Sequence, residues 1–225
     1  MIAEWPCPAS GDGVAGEYAF TFDSGRKHRL LIVPALFDEA NRLRRLTVDV
    51  MRRLDAAGID SFLPDLPGCN ESLQRLGAQD LASWQRAVIA ASRHFRASHV
   101  LAIRGGALIA PQALPGWRYA PVNGATILRQ MLRMRILAAR EAGREETQAS
   151  LLEKGMADGL ELGGYPLSAA MIAQLNSALP PDGSDQAIIG QDMLGGPALW
   201  LRAEPDEDRA QADALAAVLT VGMMA

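Results

Sequence analysis

The chain carries one segment whose residue order suits a turn that presents a single side chain for chemistry: Ser98-His99-Val100-Leu101-Ala102-Ile103-Arg104-Gly105-Gly106-Ala107-Leu108-Ile109-Ala110. An apolar run leads into one charged residue, two glycines and then residues that can start a helix, which predicts strand, tight turn, helix. The small residues Ala102 and Gly106, two before and two after Arg104, meet the steric demand of a Gly-x-Ser-x-Gly nucleophile elbow, which lifts one side chain off the carboxyl edge of a sheet. Here arginine stands where the attacking serine would be. A guanidinium stays protonated at any working pH, cannot attack a carbonyl, and is suited to holding an anion.

The groups that would serve a nucleophile are thin as well. Asp206, in the stretch Leu201-Arg202-Ala203-Glu204-Pro205-Asp206, stands where an acid would follow a late strand, but a histidine should come after it in the chain. The three histidines, His28, His94 and His99, all precede Arg104. His94 and His99 have no third residue at metal-ligand spacing, so no metal or other cofactor is expected. Cys69 and Ser72 lie on the loop Asp65-Leu66-Pro67-Gly68-Cys69-Asn70-Glu71-Ser72 and are the alternative nucleophiles. No histidine is placed to activate Cys69, and free cysteines commonly pack as small apolar groups; Ser72 reads as a turn cap.

If Arg104 projects into a cleft, the first N–H groups of the following helix would add partial positive charge to its own. The candidate site for a small anionic ligand is then Arg104, Gly105 and Gly106, with Phe37, Glu39, Asp65 and Cys69 brought to the same edge by neighbouring loops. The alternative has Arg104 paired with Asp65 or Glu39, tying two loops together across an inactive site, because a buried charge needs a partner.

Those loops must be positioned by alternating strands and helices. Arg29 to Pro34 is a continuous apolar run of the kind buried on both faces of a parallel sheet. From Leu43 the positions Leu46, Thr47, Val50, Met51 and Leu54 recur at helical spacing, and Gly58 stops the helix. Ile59 to Pro64 is the next strand. Leu81, Trp84, Val88, Ala91 and Phe95 mark a second helix, with Gln79 or Asp80 as its cap. Strand, helix, strand, helix, strand predicts a parallel sheet with right-handed crossovers. Beyond the elbow follow a strand over Trp117 to Val122, a long helix from about Thr126 to Ala142, and one or two further helices between Thr147 and Asn176 broken at Gly163-Gly164-Tyr165-Pro166. A strand over Pro197 to Ala203 and a helix over Arg209 to Leu219 close the chain. Arg129, Arg133, Arg140 and Arg144 fall near one face of the long helix; Glu141, Glu145 and Glu146 are at hand to pair with them.

At 225 residues, 49% apolar and 21% charged, the composition suits one domain with one good core. A net charge of −4 argues against a general nucleic-acid binder. Two distant cysteines, Cys7 and Cys69, form no disulfide framework, and a reducing compartment is the simple reading. The amino terminus lacks a basic and an apolar leader region, and no apolar stretch is long enough to span a bilayer; a cytoplasmic protein is expected. Gly11-Asp12-Gly13-Val14-Ala15-Gly16 spells a dinucleotide fingerprint, yet a polar, proline-containing stretch precedes it and the strand-like Glu17 to Phe22 follows, so a loop is the better reading.

Taken together, several separate segments resemble the α/β-hydrolase-like proteins known as exosortase A system-associated hydrolases, the second type in particular. The resemblance lies in Val33-Pro34 through Glu39-Ala40-Asn41-Arg42-Leu43-Arg44-Arg45, in Leu63 to Cys69, and in Arg104 to Ala110. Pro121-Val122, Leu128-Arg129-Gln130, Leu132-Arg133-Met134-Arg135 and Gly164-Tyr165-Pro166-Leu167-Ser168 add to it. It implies a three-layer α/β sandwich of the α/β-hydrolase type, mostly parallel, as a single domain over 1–225 with a helical cap-like insertion at 124–180. With Arg104 in the nucleophile slot and no late histidine, the expected role is non-catalytic: an accessory or anion-binding protein linked to exosortase and exopolysaccharide systems. The alternative is an esterase or thioesterase using Cys69 or Ser72. A third expectation is a homodimer formed through the arginine-bearing helix.

Overall fold

Runs of β-branched and leucine residues flanked by turn residues cannot stay solvated, and in the computed structural model, which describes residues 1–9, 13–182 and 185–225, they form a seven-stranded sheet. Its strands are β1 (Ile2–Pro8), β2 (Val14–Phe22), β3 (Arg29–Val33), β4 (Asp60–Pro64), β5 (His99–Ile103), β6 (Gly116–Tyr119) and β9 (Gln186–Ile189), in the order β1-β2-β4-β3-β5-β6-β9. β1 pairs antiparallel with β2, and β2 antiparallel with β4. The remaining pairs are parallel. Every residue of β3 and β4 is buried, and so are the last four of β5, as strands covered on both faces require.

Helices cover both faces, giving the three layers expected. On one face lie α1 (Asp38–Ala56), the four-residue α6 (Gln191–Leu194) and α7 (Arg209–Met224), packed with Leu43, Leu46, Val50, Met51 and Leu215 against the sheet. On the other lie α2 (Leu81–His94), α3 (Gly124–Glu141), α4 (Gln148–Asp158) and α5 (Ala169–Ser177), whose core includes Trp84, Val88, Leu132 and Ile172. Asp80 starts α2 with a capping box, its carboxylate accepting from the Ser83 amide at 2.7 Å while the Ser83 hydroxyl accepts from the Asp80 amide at 2.9 Å. The same carboxylate accepts from Gln174 Nε2 of α5 at 3.1 Å, and the Ser168 hydroxyl before α5 donates to the Gln79 carbonyl at 2.8 Å. The segment between β6 and β9 is thereby pinned to the start of α2.

Several sequence expectations need correction. The break at Gly163-Gly164-Tyr165-Pro166 is a β-hairpin, β7 (Leu160–Leu162) with β8 (Tyr165–Leu167), turned at two glycines of positive φ, as a tight two-residue hairpin loop requires. The strand at Trp117 starts one residue earlier and stops at Tyr119. Pro197 to Ala203 is not a strand: Leu199–Leu201 forms a single 3-10 turn whose Leu199 and Trp200 bury in the α1 and α7 core. A short apolar run is equally consistent with a strand and a packed turn. The last strand is instead β9, four residues with an inward glutamine and two exposed positions, too short and too mixed to show a period. Ile2–Pro8 is a strand despite its prolines, which sit at an outer edge where a missing donor costs nothing. Of the fingerprint-like Gly11 to Gly16, Gly11 and Asp12 lie outside the described residues, while Val14 to Gly16 belong to β2.

Candidate active site: an elbow closed by an ion pair

Arg104 follows the last residue of β5, between β3 and β6, at the carboxyl edge where the strand order reverses and open α/β sheets place their sites. Its φ of +52° is a left-handed conformation that side chains avoid. Of the five non-glycine residues with positive φ among the described residues, four, Phe37, Asn70, Arg104 and Ala120, fall on the exits of β3, β4, β5 and β6. Backbone strain thus collects along one rim, as it does at functional sites. Gly106 is required by close approach: a Cβ there would stand 2.4 Å from the Pro34 carbonyl oxygen and 2.8 Å from that of Val33.

The helix expected after the elbow is absent. Arg104–Leu108 makes one 3-10 turn, because Gly105-Gly106 opposes helix and Pro111 follows within a turn and a half. The helix-end contribution to anion binding has no structural basis here.

The guanidinium is already engaged. Nε and Nη2 each donate to a different Glu39 carboxylate oxygen at 3.0 Å, and Nη1 donates to the Ala120 carbonyl at 2.9 Å. Its Cζ lies 4.2 Å from the centre of the Trp200 ring. The pair is largely buried, with 13% and 10% of the two side chains exposed. A fork-to-fork arginine and carboxylate pair is the geometry in which an arginine would also grip a ligand; the carboxylate in that place is the chain's own. The front of the elbow is filled as well: a Cβ on Gly105 would meet Ile127 Cδ1 at 2.6 Å and Leu36 Cγ at 3.0 Å.

Asp65 does not reach Arg104. It accepts from Asn70 Nδ2 at 2.6 Å and lies 3.5 Å from Arg44 Nη1, and burial pushes its carboxyl pKa up. Burial, then the nearby Asp65 and Glu17, push the Cys69 thiol up to about 12, which holds it protonated at neutral pH. The Ser72 hydroxyl donates to the buried Glu17 at 2.6 Å and accepts from the Gly68 and Gln74 amides; it is spent on its own loop. His99, at the start of β5, stacks on Trp117 and stands five residues from Arg104, about 16 Å along a strand. Burial and His28 lower its pKa. His28 precedes β3 and His94 ends α2, on the opposite edge of the sheet. Asp206 is half exposed, 3.8 Å from Arg202. No triad assembles among these residues.

Phe37, Asp65 and Cys69 do share a cavity, of about 520 Å³, between the start of α1, the exit of β4 and the Tyr165 hairpin. It is bounded by Leu66 and Trp84 and carries Asp38, Asn41, Arg44 and Asn70 among its polar groups. Arg104, Gly105, Gly106 and Glu39 do not line it. The sequence could not show that Phe37, rather than Arg104, stands at its wall, because φ of +56° at a phenylalanine has no local signal. Among the described residues no group of histidine, cysteine and carboxylate side chains is arranged to hold a metal ion.

No protein-family model and no curated protein matches the chain. Among solved structures it is similar to a provisionally designated hydrolase from Agrobacterium vitis S4, with a TM-score of 0.55 and 13% identity, covering 100% of this chain and 99% of that one. It is similar also to alpha/beta hydrolase domain-containing protein 10 from mouse (TM-score 0.53, 10% identity, 100% and 98% covered). A hypothetical protein from Pseudomonas aeruginosa PAO1 matches at a TM-score of 0.50 and 16% identity, with 100% and 98% covered. At these identities the likeness is one of fold: the chain has the α/β-hydrolase fold.

Proposed function

We propose that this chain is a non-catalytic member of the α/β-hydrolase fold, a binding or accessory protein whose former nucleophile position has become a structural clasp. The observation that supports it is the Arg104 and Glu39 pair, which puts a permanent cation at the elbow and uses a carboxylate to neutralise it. With no imidazole at that edge, the proton relay of a Ser-His-Asp triad is missing. The ligand site in this reading is the cavity beside Phe37, Asp65 and Cys69, with residues 124–180 as its cap. The small anionic ligand expected from the sequence is assigned to Arg44, the cationic residue of that lining, whose 3.5 Å contact with Asp65 is long enough to yield. The resemblance to exosortase A system-associated hydrolases supplies the setting, an accessory role near exopolysaccharide export.

The esterase or thioesterase alternative needs Cys69 or Ser72 as nucleophile; a thiol raised to about 12 and a hydroxyl bound to Glu17 weigh against both. Calorimetric titration with phosphate, sulfate and citrate tests the ligand assignment. Binding abolished by Arg44→Ala and kept by Arg104→Met is expected. Binding that Arg104→Met removes and Arg44→Ala leaves would return the site to the elbow.

A further inference from the structure

The arginines of α3 are not the paired, solvated face that Glu141, Glu145 and Glu146 could have made. Glu146 is taken by Arg135, which grips it with Nε and Nη2 at 3.0 Å each. Among the described residues Arg129, Arg133, Arg140 and Arg144 make no ion pair, and all four are exposed. Arg129, Arg133 and Arg140 share one side of the helix, since steps of four and seven residues return to nearly the same angle. Leu137, 49% exposed, stands beside that stripe, and Met134, 60% exposed, stands about 60° further round the helix. Met134 also borders an apolar cavity of about 80 Å³ that runs in past Met131 and Ile127 to Leu36 and Phe37. The acids near this surface are Glu141 and Glu145 at its carboxyl-terminal end and, on the Met134 side, Asp38 and Glu39, which line that cavity with Arg42 and are bound by Arg42 and Arg104.

We infer that this face of α3 docks on an anionic lipid bilayer. Unpaired arginines in a chain of net charge −4 create a local positive field that selects an anionic partner. Two bulky apolar side chains flanking them distinguish a bilayer from a free polyanion, because only the bilayer also offers hydrocarbon at headgroup depth. A two-fold pairing of copies through this face would set arginines against arginines, a like-charge contact that costs binding. The inference is independent of what the larger cavity holds.

The test is co-sedimentation of the whole chain with vesicles of phosphatidylcholine alone and of equimolar phosphatidylcholine and phosphatidylglycerol, at low salt. Binding to the anionic vesicles, absent on neutral ones and lost near molar salt, is expected. Arg129→Gln/Arg133→Gln/Arg140→Gln should weaken it at least about 100-fold, at roughly 5-fold per arginine, and Met134→Ser/Leu137→Ser should weaken it separately. All five positions are exposed, and circular dichroism of each variant checks that the fold is kept. Failure to bind anionic vesicles, equal binding to neutral ones, or full binding by the triple variant would overturn the inference. So would arginine-dependent binding of heparin or duplex DNA without vesicle binding, or an arginine-dependent dimer by light scattering.

Discussion

Arg104 holds its charge on a backbone of φ +52°, a conformation costing on the order of 1–3 kcal/mol that persists only where the surroundings enforce it. The enforcing contacts are Glu39, the Ala120 carbonyl and the Trp200 ring. Removing one partner leaves a mostly buried charge alone, so Arg104→Met or Glu39→Gln should each lower unfolding stability by roughly 3 kcal/mol in urea titrations. The double substitution should cost much less than the sum of the two; additive losses would mean that the pair does not act as a unit. Asp65 behaves oppositely. Burial raises its pKa in the folded state, so its contribution favours the fold at low pH and is lost as pH rises through the folded value. Asp65→Asn keeps the shape and removes the buried charge, and the melting temperature at pH 7 should be unchanged or higher. A clear loss at pH 7 would show that the ionised carboxylate is needed by Arg44 and Asn70.

At the scale of elements, the elbow stands because a glycine lets β5 turn against the end of β3. Gly106→Ala puts a methyl group into backbone oxygens at 2.4 and 2.8 Å and should cost roughly 2–3 kcal/mol. Gly105→Ala meets the movable ends of Ile127 and Leu36 and should cost less; the reverse order would contradict the packing described. Asp80→Ala removes both the cap of α2 and the tie to Gln174 of α5, with an expected loss of about 1–2 kcal/mol. The helices α1, α2 and α3 and the strands β3 to β5 were legible because each carries a clear period or a continuous apolar run. The missing elbow helix was not, since only the competition between Gly105-Gly106, Pro111 and the packing of β6 decides it. β9 stayed hidden for another reason. Gln186 is buried because its amide donates to the Pro111 and Leu114 carbonyls, a contact across more than 70 residues that leaves no local trace.

Over the whole molecule, the two edges of the sheet carry different charge chemistry. At the opposite edge from Arg104, the fully buried Asp60 accepts from the Ser24 and Arg26 amides and from the Arg26 and Arg29 guanidinium groups. Arg29 also grips Asp23, which holds that carboxyl below its usual range. Asp208, bound by the first amides of α7, is lowered too. A lowered carboxylate contributes stability that is present above the unfolded value of 3.8 and lost as pH falls through the folded one. Acid unfolding should therefore set in below about pH 4, and a transition near pH 6 in circular dichroism would point to the histidines instead. The residues of the carboxyl edge were legible as residues, with arginine at the elbow and no later histidine visible in the chain itself. Which carboxylate closes it was not, because Glu39, in the first turn of α1, and Asp65, at the exit of β4, both come to that edge and only the fold separates them. The most direct test is steady-state hydrolysis of a panel of p-nitrophenyl esters and acyl thioesters by the purified chain. No saturable rate above that of Cys69→Ala/Ser72→Ala is predicted; saturable turnover that this double variant abolishes would contradict a closed, non-catalytic elbow.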